Sequence, residues 1–304
     1  MIARLKDVLK LREIPFREYV SAATLSTFAL GGPVSLVIEP RCIGELIEAA
    51  MLCKRCDARF WVVGRGSNVV FADEMADAVL IRTVYLDAVR KTPCGVRAEC
   101  GATMMSLSHD AACRGFGDLV FACGIPGTLG GALFMNAGAY GKSISELVKS
   151  VTALDLLTGE IKTMLHHQLN YSYRNSIFQF KKLLILSAEL RFCDCRDRAA
   201  VFSEMRSLNR ARRNAQPLDL PSGGSAFKRP CEQLAVGRLL EELGLKGMRR
   251  GNAAVSEKHA GFLVNLGGAK ASDVAQLIRE IQKIAEKERG IRLEPELRFI
   301  PEMK

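Results

Sequence analysis

Hydrophobic residues recur along the chain at two spacings, and the switch between them predicts most of the elements. Residues 34–39, then Phe60-Trp61-Val62-Val63 and Ala78-Val79-Leu80-Ile81, are short apolar runs of strand length. Between the first two, residues 43–56 repeat at helical spacing and bring Leu46, Ile47, Ala50 and Cys53 onto one face. Strand, helix and strand in that order predict a small α/β unit. Val96 to Cys100 alternates like a half-buried strand, and Met104 to Arg114 reads as a helix. Val151–Leu156 and Leu183–Leu190 read as strands. The second is almost continuously apolar, which predicts a central position. Residues 197–216 form a basic helical stretch that stops at Pro217, and Pro217 to Pro230 reads as a loop. The stretch 272–289 places Val274, Leu277, Ile278, Ile281 and Ile284 on one face. Ser272 is its expected N-cap and Gly290 its stop. Leu293 to Ile300 reads as a terminal strand.

Composition narrows the function classes. In 304 residues, 48% are hydrophobic and 25% charged, which excludes a disordered tail, a collagen-like fibre and a small disulfide scaffold. No apolar run approaches the ~18–20 residues of a membrane-spanning helix. Charges scattered through Met1 to Asp7 do not fit a signal peptide, so no export is expected. The 43 basic residues exceed the 33 acidic ones by ten, which favours an anionic partner. The basic residues are spread along the chain, a pattern that suits phosphorylated small molecules better than a nucleic-acid stripe. Ten cysteines, several inside apolar stretches (Cys42, Cys53, Cys100, Cys123, Cys193), read as buried free thiols. Cys53-Lys54-Arg55-Cys56 has metal-ligand spacing but lacks a second ligand pair, so no metal is expected.

Two glycine-rich motifs carry the candidate chemistry. Gly64-Arg65-Gly66-Ser67-Asn68 follows the Phe60–Val63 run. Such a loop is either a tight turn or a place where backbone N–H groups approach a phosphate. Val69 occupies the third glycine position of a Rossmann fingerprint, so that fold is not supported. The second motif starts at Gly124-Ile125-Pro126-Gly127-Thr128-Leu129-Gly130-Gly131 and runs on to Asn136-Ala137-Gly138 and Gly141. Six glycines and three alanines in its eighteen residues leave little side-chain bulk. Two readings remain open: backbone packed against a large flat ligand, or a close crossing of two elements.

Both motifs, in this order, resemble the flavin-binding half of the UDP-N-acetylenolpyruvoylglucosamine reductase family. Further matches are Leu25-Ser26-Thr27-Phe28 with Gly31-Gly32, Tyr173-Arg174-Asn175-Ser176, Pro221-Ser222-Gly223-Gly224-Ser225-Ala226-Phe227-Lys228, Gly244-Leu245-Lys246-Gly247, Val255-Ser256-Glu257-Lys258-His259-Ala260 and Leu293-Glu294-Pro295-Glu296. The resemblance implies an α+β protein. Two FAD-binding α/β subdomains of the vanillyl-alcohol-oxidase-like type (residues 1–88 and 89–200) would be followed by a C-terminal α+β substrate domain (201–304). The short stretch from Ser225 to Glu296 resembles the compact subtype without a substrate-domain insertion. The implied reaction belongs to peptidoglycan-precursor synthesis in the cytoplasm. NADPH reduces FAD, and the enolpyruvyl ether of a UDP-sugar is reduced to UDP-N-acetylmuramate. The expected protein is a monomer with no nucleic-acid or membrane partner.

The same resemblance implies residue roles. Gly64, Arg65, Gly66, Ser67, Asn68, Gly124, Ile125, Pro126, Gly127, Thr128, Gly130, Gly131, Asn136, Ala137 and Gly138 would hold FAD. Reducing an enol ether leaves charge at C2 that spreads into the attached carboxylate, so the site must stabilise that charge and protonate C2. Arg174 would grip the carboxylate, Glu296 would act in a protonated form, and Ser225 would donate the proton. Taken without the resemblance, Arg174 is a surface arginine, Ser225 a turn residue, and Glu294 competes with Glu296. Arg65 stands where the family often has glycine, so its side chain must point outward or meet phosphate. Arg229 stands where many relatives have asparagine. Lys228, Arg229 and Arg213 would contact the UDP diphosphate. His259 is expected to be structural. Two other readings stay open: another flavin enzyme on the same fold, and a basic nucleic-acid-binding protein. The low aromatic content, 7%, argues against the latter.

Overall fold

The computed structural model describes residues 2–231 and 233–302. Helix α1 (Ile2–Leu11) and strand β1 (Phe16–Ser21) precede β2 (Pro33–Ile38), α2 (Ile43–Arg55), β3 (Phe60–Val63), β4 (Val69–Phe71) and β5 (Met75–Arg82). There follow β6 (Val89–Thr92), β7 (Gly95–Glu99), α3 (Met104–Cys113), α4 (Leu129–Met135), β8 (Gly138–Ala139) and β9 (Lys142–Ser143). Then come β10 (Val148–Asp155), β11 (Ile161–Leu165), β12 (Leu183–Arg191), α5 (Arg198–Ala215) and β13 (Ser222–Ser225). The chain ends with α6 (Val236–Glu242), β14 (Arg249–Arg250), β15 (Ala253–Val255), β16 (Phe262–Asn265), α7 (Ala271–Arg289) and β17 (Arg298–Ile300).

Packing divides the chain into two compact units, neither of them continuous. The first comprises Met1–Glu18, Leu36–Gly64 and Ala78–Ala211; the second comprises Tyr19–Ser35, Arg65–Asp77 and Arg212–Lys304. A division at residue 200 would leave Tyr19–Ser35 and Arg65–Asp77 with the N-terminal part, whereas both pack with the C-terminal one. The physical reason is strand pairing and side-chain capping inside the second unit, described below.

In the first unit, α2 forms where the apolar spacing predicts it. The Cys42 thiol caps it by accepting from the Glu45 N–H at 3.5 Å, and Leu46, Ala49, Ala50 and Cys53 are fully buried. Burying one such leucine contributes about 1.5–3 kcal/mol. Strand β3 pairs in parallel with β5, Phe60 opposite Val79 and Val63 opposite Arg82. They belong to a four-stranded sheet in the order β1-β2-β5-β3. A second, antiparallel sheet runs β11-β10-β12-β7-β6 and places β12 at its centre, as its apolar run predicts. Helix α4 packs on β12 and β7, closing over that strand.

The second unit has its own core, built from Phe28, Phe227, Leu240, Leu263, Val274, Leu277 and Ile281. A four-stranded sheet runs β13-β16-β15-β14, and a separate parallel pair joins β17 to β4. The buried Asn265 amide donates to the carbonyls of Phe28 (3.1 Å) and Ala29 (2.9 Å) and accepts from the N–H groups of Gly267 and Ala269. These bonds are why early segments of the chain belong to the late unit.

Several sequence expectations change here. Pro217 to Pro230 is not all loop, because Ser222–Ser225 forms β13 against the fully buried β16. A Ser-Gly-Gly-Ser strand has no apolar pattern of its own; its partner dictates it. Ser272 is not the N-cap of α7: Lys270 holds that position, while Ser272 lies inside the first turn. Gly290 does stop the helix, at φ +68°. The regular terminal strand is only Arg298–Ile300. Residues 294–296 pair instead with 226–228, through Lys228 N–H to Glu294 O (2.9 Å) and Glu296 N–H to Ala226 O (2.8 Å). Cys53, Cys100 and Cys123 are buried, but Cys42 and Cys193 are exposed, Cys42 because it caps a helix. Burial pushes the thiols of Cys53 and Cys100 up to about 12.

The α7 N-terminus is capped by a remote carboxylate. Asp73 accepts from the Ala271 N–H (2.7 Å), the Ser272 N–H (3.1 Å) and the Ser272 hydroxyl (2.9 Å). Charge-assisted bonds to orphan helix N–H groups are at the strong end of capping interactions. We therefore predict that Asp73→Ala lowers unfolding free energy by about 1–2 kcal/mol. Urea unfolding followed by circular dichroism checks this, and an unchanged midpoint would contradict the capping role.

Candidate active site

The first unit carries Gly64 and the whole of the second glycine motif. Strand β3 ends at Val63, whose carbonyl accepts from the Thr83 N–H at 2.9 Å, and Gly64 follows. A Cβ at Gly64 would collide with the Thr128 side chain, so the two glycine motifs meet at this point. Thr128 is buried and caps α4 through the Gly131 N–H (3.4 Å). Residues 127–130 run beside 100–104: Gly130 N–H to Cys100 O is 2.7 Å, Leu129 N–H to Ala102 O is 2.8 Å, and Met104 N–H to Gly127 O is 3.1 Å. A Cβ on Gly130 would lie 3.0 Å from that of Cys100.

The glycines therefore divide into two groups. Gly64, Gly130 and Gly138 are small because protein crosses close by. Gly131 is exposed, with only the Thr128 hydroxyl, at 3.6 Å, near its missing Cβ; Gly124, Ile125, Pro126 and Gly127 are half-exposed. The Gly127 carbonyl accepts from Met104 and the Ile125 N–H donates to Ala122 O, so this segment is partly engaged within the protein. The close-crossing reading of the second motif holds at Gly130 and Gly138.

Asn136 and Ala137 serve the fold. Asn136 is buried, adopts the left-handed conformation that ends α4, donates to Ser172 O (2.8 Å) and accepts from the Ser145 N–H (3.2 Å). Ala137 donates to Ala132 O and accepts from Ile144 N–H. The sequence grouped both residues with the FAD contacts; their polar groups are engaged inside the protein.

Arg174 sits on a tight turn, Ser172 to Asn175, with φ +54°. A non-glycine residue there is strained, and such strain clusters at functional positions. The turn is anchored to the end of α4. Ser176 Oγ (2.7 Å) and Gln179 Nε2 (3.0 Å) donate to Phe134 O, and Gln179 Nε2 also donates to Arg174 O (3.0 Å). The guanidinium donates to Gly138 O at 3.3 Å and lies 5.2 Å from the Tyr173 ring. The helix inside the second glycine motif thus also holds the Tyr-Arg turn, a link not visible in the sequence.

The second unit carries the remaining candidates. Arg65 is exposed, in line with an outward side chain, while Gly66 is buried at φ +62° with Leu25 O where a Cβ would stand. Thr27 ties this loop to β13, donating through its hydroxyl to Ser222 O (2.7 Å) and accepting from the Ser222 N–H (3.0 Å). Strand β13 bulges between Ser222 and Ser225, with Gly224 at φ +85°. Bulges re-aim the side chain that follows, here Ser225. Ser67 O is 3.9 Å from the place of a Gly224 Cβ, so this bulge and the glycine loop are neighbours.

Glu294 and Glu296 differ sharply in burial. Glu296 is 9% exposed, and its N–H bonds Ala226, the residue after Ser225. The Glu294 side chain is 69% exposed and paired with Lys228 at 2.5 Å. The two glutamates flank Pro295 on one segment paired with 226–228, and they differ in burial. Arg229 and Arg213 are exposed, and Arg213 O accepts from Lys258 Nζ at 2.6 Å. Ser225, Glu296 and Lys228 are thus brought together on paired segments, while Arg174 belongs to the other unit. Among the described residues no group of three or more His, Cys, Asp or Glu could hold a metal, and no helix is long and apolar enough to cross a membrane.

Residues 34–164 match the FAD binding domain family, which makes this a flavin-binding α+β protein. Residues 216–300 match the family described as UDP-N-acetylenolpyruvoylglucosamine reductase, C-terminal domain. The chain is 39% identical to the UDP-N-acetylenolpyruvoylglucosamine reductase of Caldicellulosiruptor bescii, over 96% of this chain and 91% of that one. It is 37% identical to that of Pediococcus pentosaceus, over 98% and 96%. The crystal structure of the reductase from Thermus caldophilus superposes with a TM-score of 0.78 at 28% identity, covering 94% of this chain and 98% of that one. The chain belongs to the UDP-N-acetylenolpyruvoylglucosamine reductase family.

His259 is wedged in the second unit against Gly237 and Gly261. Its Nδ1 accepts from the Gly261 N–H at 3.1 Å, and its ring meets Phe262 edge-on at 5.0 Å. Burial lowers its pKa below the ordinary 6.5, because the charged form is disfavoured in the folded protein. The unfolded chain binds the proton first. Stability is therefore fully present above the ordinary value and is lost as pH falls towards the folded pKa. We predict that stability falls in this range and that His259→Gln, which keeps an acceptor, removes that part of the slope. Urea unfolding at stepped pH values measures it; parallel profiles for the two proteins would contradict the assignment.

Proposed function

We propose that the protein reduces UDP-N-acetyl-3-O-(1-carboxyvinyl)-glucosamine to UDP-N-acetylmuramate, with FAD as cofactor and NADPH as reductant. It would act as a cytoplasmic monomer of the compact subtype. In functional terms, residues 1–88 and 89–200 provide the cofactor site and 201–304 the substrate domain, with Tyr19–Ser35 and Arg65–Asp77 built into the latter's compact unit. The observation that carries the reading is the placement of Glu296 beside Ser225. A buried carboxyl is hydrogen-bonded through its own backbone to the strand that presents a serine on a bulge.

The half-exposed 124–127 segment and the exposed Gly131 would lie against a large planar ligand, and the Gly64–Asn68 loop would meet its phosphates. When bound, FAD supplies the two-electron carrier between NADPH and the enolpyruvyl group. The protein's own residues do the rest. Arg174, fixed by its anchored turn, holds the substrate carboxylate in a bidentate fork and favours the charge that accumulates there. Glu296, withdrawn from bulk water, donates a hydrogen bond to the same charge-rich group. Ser225 delivers a proton to C2. Lys228 exchanges its exposed partner Glu294 for a substrate phosphate, with Arg229 and Arg213 as further cations near the diphosphate.

The reaction divides into two halves with different needs, and this makes it testable. NADPH oxidation needs no proton at a substrate carbon, whereas enolpyruvyl reduction does. Ser225→Ala should keep near-normal bleaching of the flavin by NADPH, then reoxidise at least ~10²-fold more slowly with the UDP-sugar. Stopped-flow absorbance of each half checks it. Equal slowing of both halves would mean a disturbed cofactor site, and unchanged reoxidation would return Ser225 to the role of a turn residue.

A further inference from the structure

Glu296 lies outside regular secondary structure, yet its backbone is held on both sides. Its N–H donates to Ala226 O at 2.8 Å, and its carbonyl accepts from Asn68 Nδ2 at 2.9 Å. The Asn68 carbonyl in turn accepts from the Arg298 N–H at 3.0 Å. Strand β17 begins only at Arg298, opposite Val69, so the ladder alone does not reach Glu296. The Asn68 amide replaces the missing rung and extends the pairing by two residues. Leu297, between the two bonds, is buried against Gly223, where a Cβ would strike its side chain. The backbone at Glu296 therefore has little room to shift while Asn68 is in place.

We infer that Asn68 is a positioning residue for Glu296: its amide sets the carboxyl-bearing residue against the Ser225 strand and ties it to the glycine loop. The inference rests on the proposed reaction and assigns to Asn68 a task beyond cofactor contact. All the groups involved lie in one compact unit. Displacement of the 65–68 loop is transmitted to Glu296 through one side-chain bond and one ladder bond.

The test is a double-mutant cycle on the FAD-loaded protein, reading both half-reactions by stopped flow. Asn68→Ala should slow reoxidation by the UDP-sugar about tenfold or more relative to its effect on reduction by NADPH. In a Glu296→Gln background the same change should cost less than about twofold, because residues acting as a unit are non-additive. Asn68→Asp, which keeps the shape and removes the donor, runs the same cycle should the alanine variant fold poorly. In the flavin-free protein, calorimetric affinity for the UDP-sugar should move by less than about threefold. Three results overturn the inference: an equal fold-loss with and without the Glu296 carboxyl, equal slowing of both half-reactions with loss of flavin, or a loss confined to substrate affinity. Wild-type protein reduced by NADPH but inert to the UDP-sugar would instead overturn the proposed reaction itself, and the inference with it.

Discussion

A three-residue parallel pairing, Val69–Phe71 against Arg298–Ile300, is the constraint on which the C-terminal unit depends. It joins a strand near the start of the chain to one at its end. A two-stranded sheet this short is marginal alone. Side chains reinforce it at each end: Asn68 reaches Glu296 before the ladder, and Asp73 caps α7 after it. Val70 is fully buried in the same core as Phe227 and Leu297. Because the glycine loop leads directly into this pairing, its geometry and that of Glu296 are set together.

The placement of small residues follows from similar crowding. A glycine-rich motif suggests ligand contact, but here much of the glycine is required by the protein itself. Gly64 clears Thr128, Gly130 clears Cys100, and Gly66 clears Leu25 while adopting a left-handed conformation. At these crossings a side chain larger than hydrogen would force one of the two segments to shift.

How much of this was legible in the sequence follows from whether a residue's task is local or remote. Helix α2, the β3 and β5 runs, the central β12 and the stop at Gly290 all follow from periodicity and capping within a few residues, and the structure agrees closely. Strand β13 has no pattern because β16 imposes it. The terminal run divides between two partners, 226–228 and β4, both remote in sequence. The cap of α7 lies nearly two hundred residues away at Asp73, so Ser272 looked like the local choice. In the site, motif order pointed to Ser225, Arg174 and Glu296, yet residues alone could not separate Glu294 from Glu296. The two differ sharply in burial. The second task of Asn68 left no sequence signal, because its partner lies 228 residues further along.

The central claim is that this fold carries a flavin between NADPH and an enolpyruvyl UDP-sugar. One absorbance titration tests it most directly. Protein purified or reconstituted with FAD should show flavin bands that bleach anaerobically on adding NADPH and return on adding the UDP-sugar in equimolar amount. A protein that takes up no FAD on reconstitution, or whose bands bleach and do not return, would contradict the account.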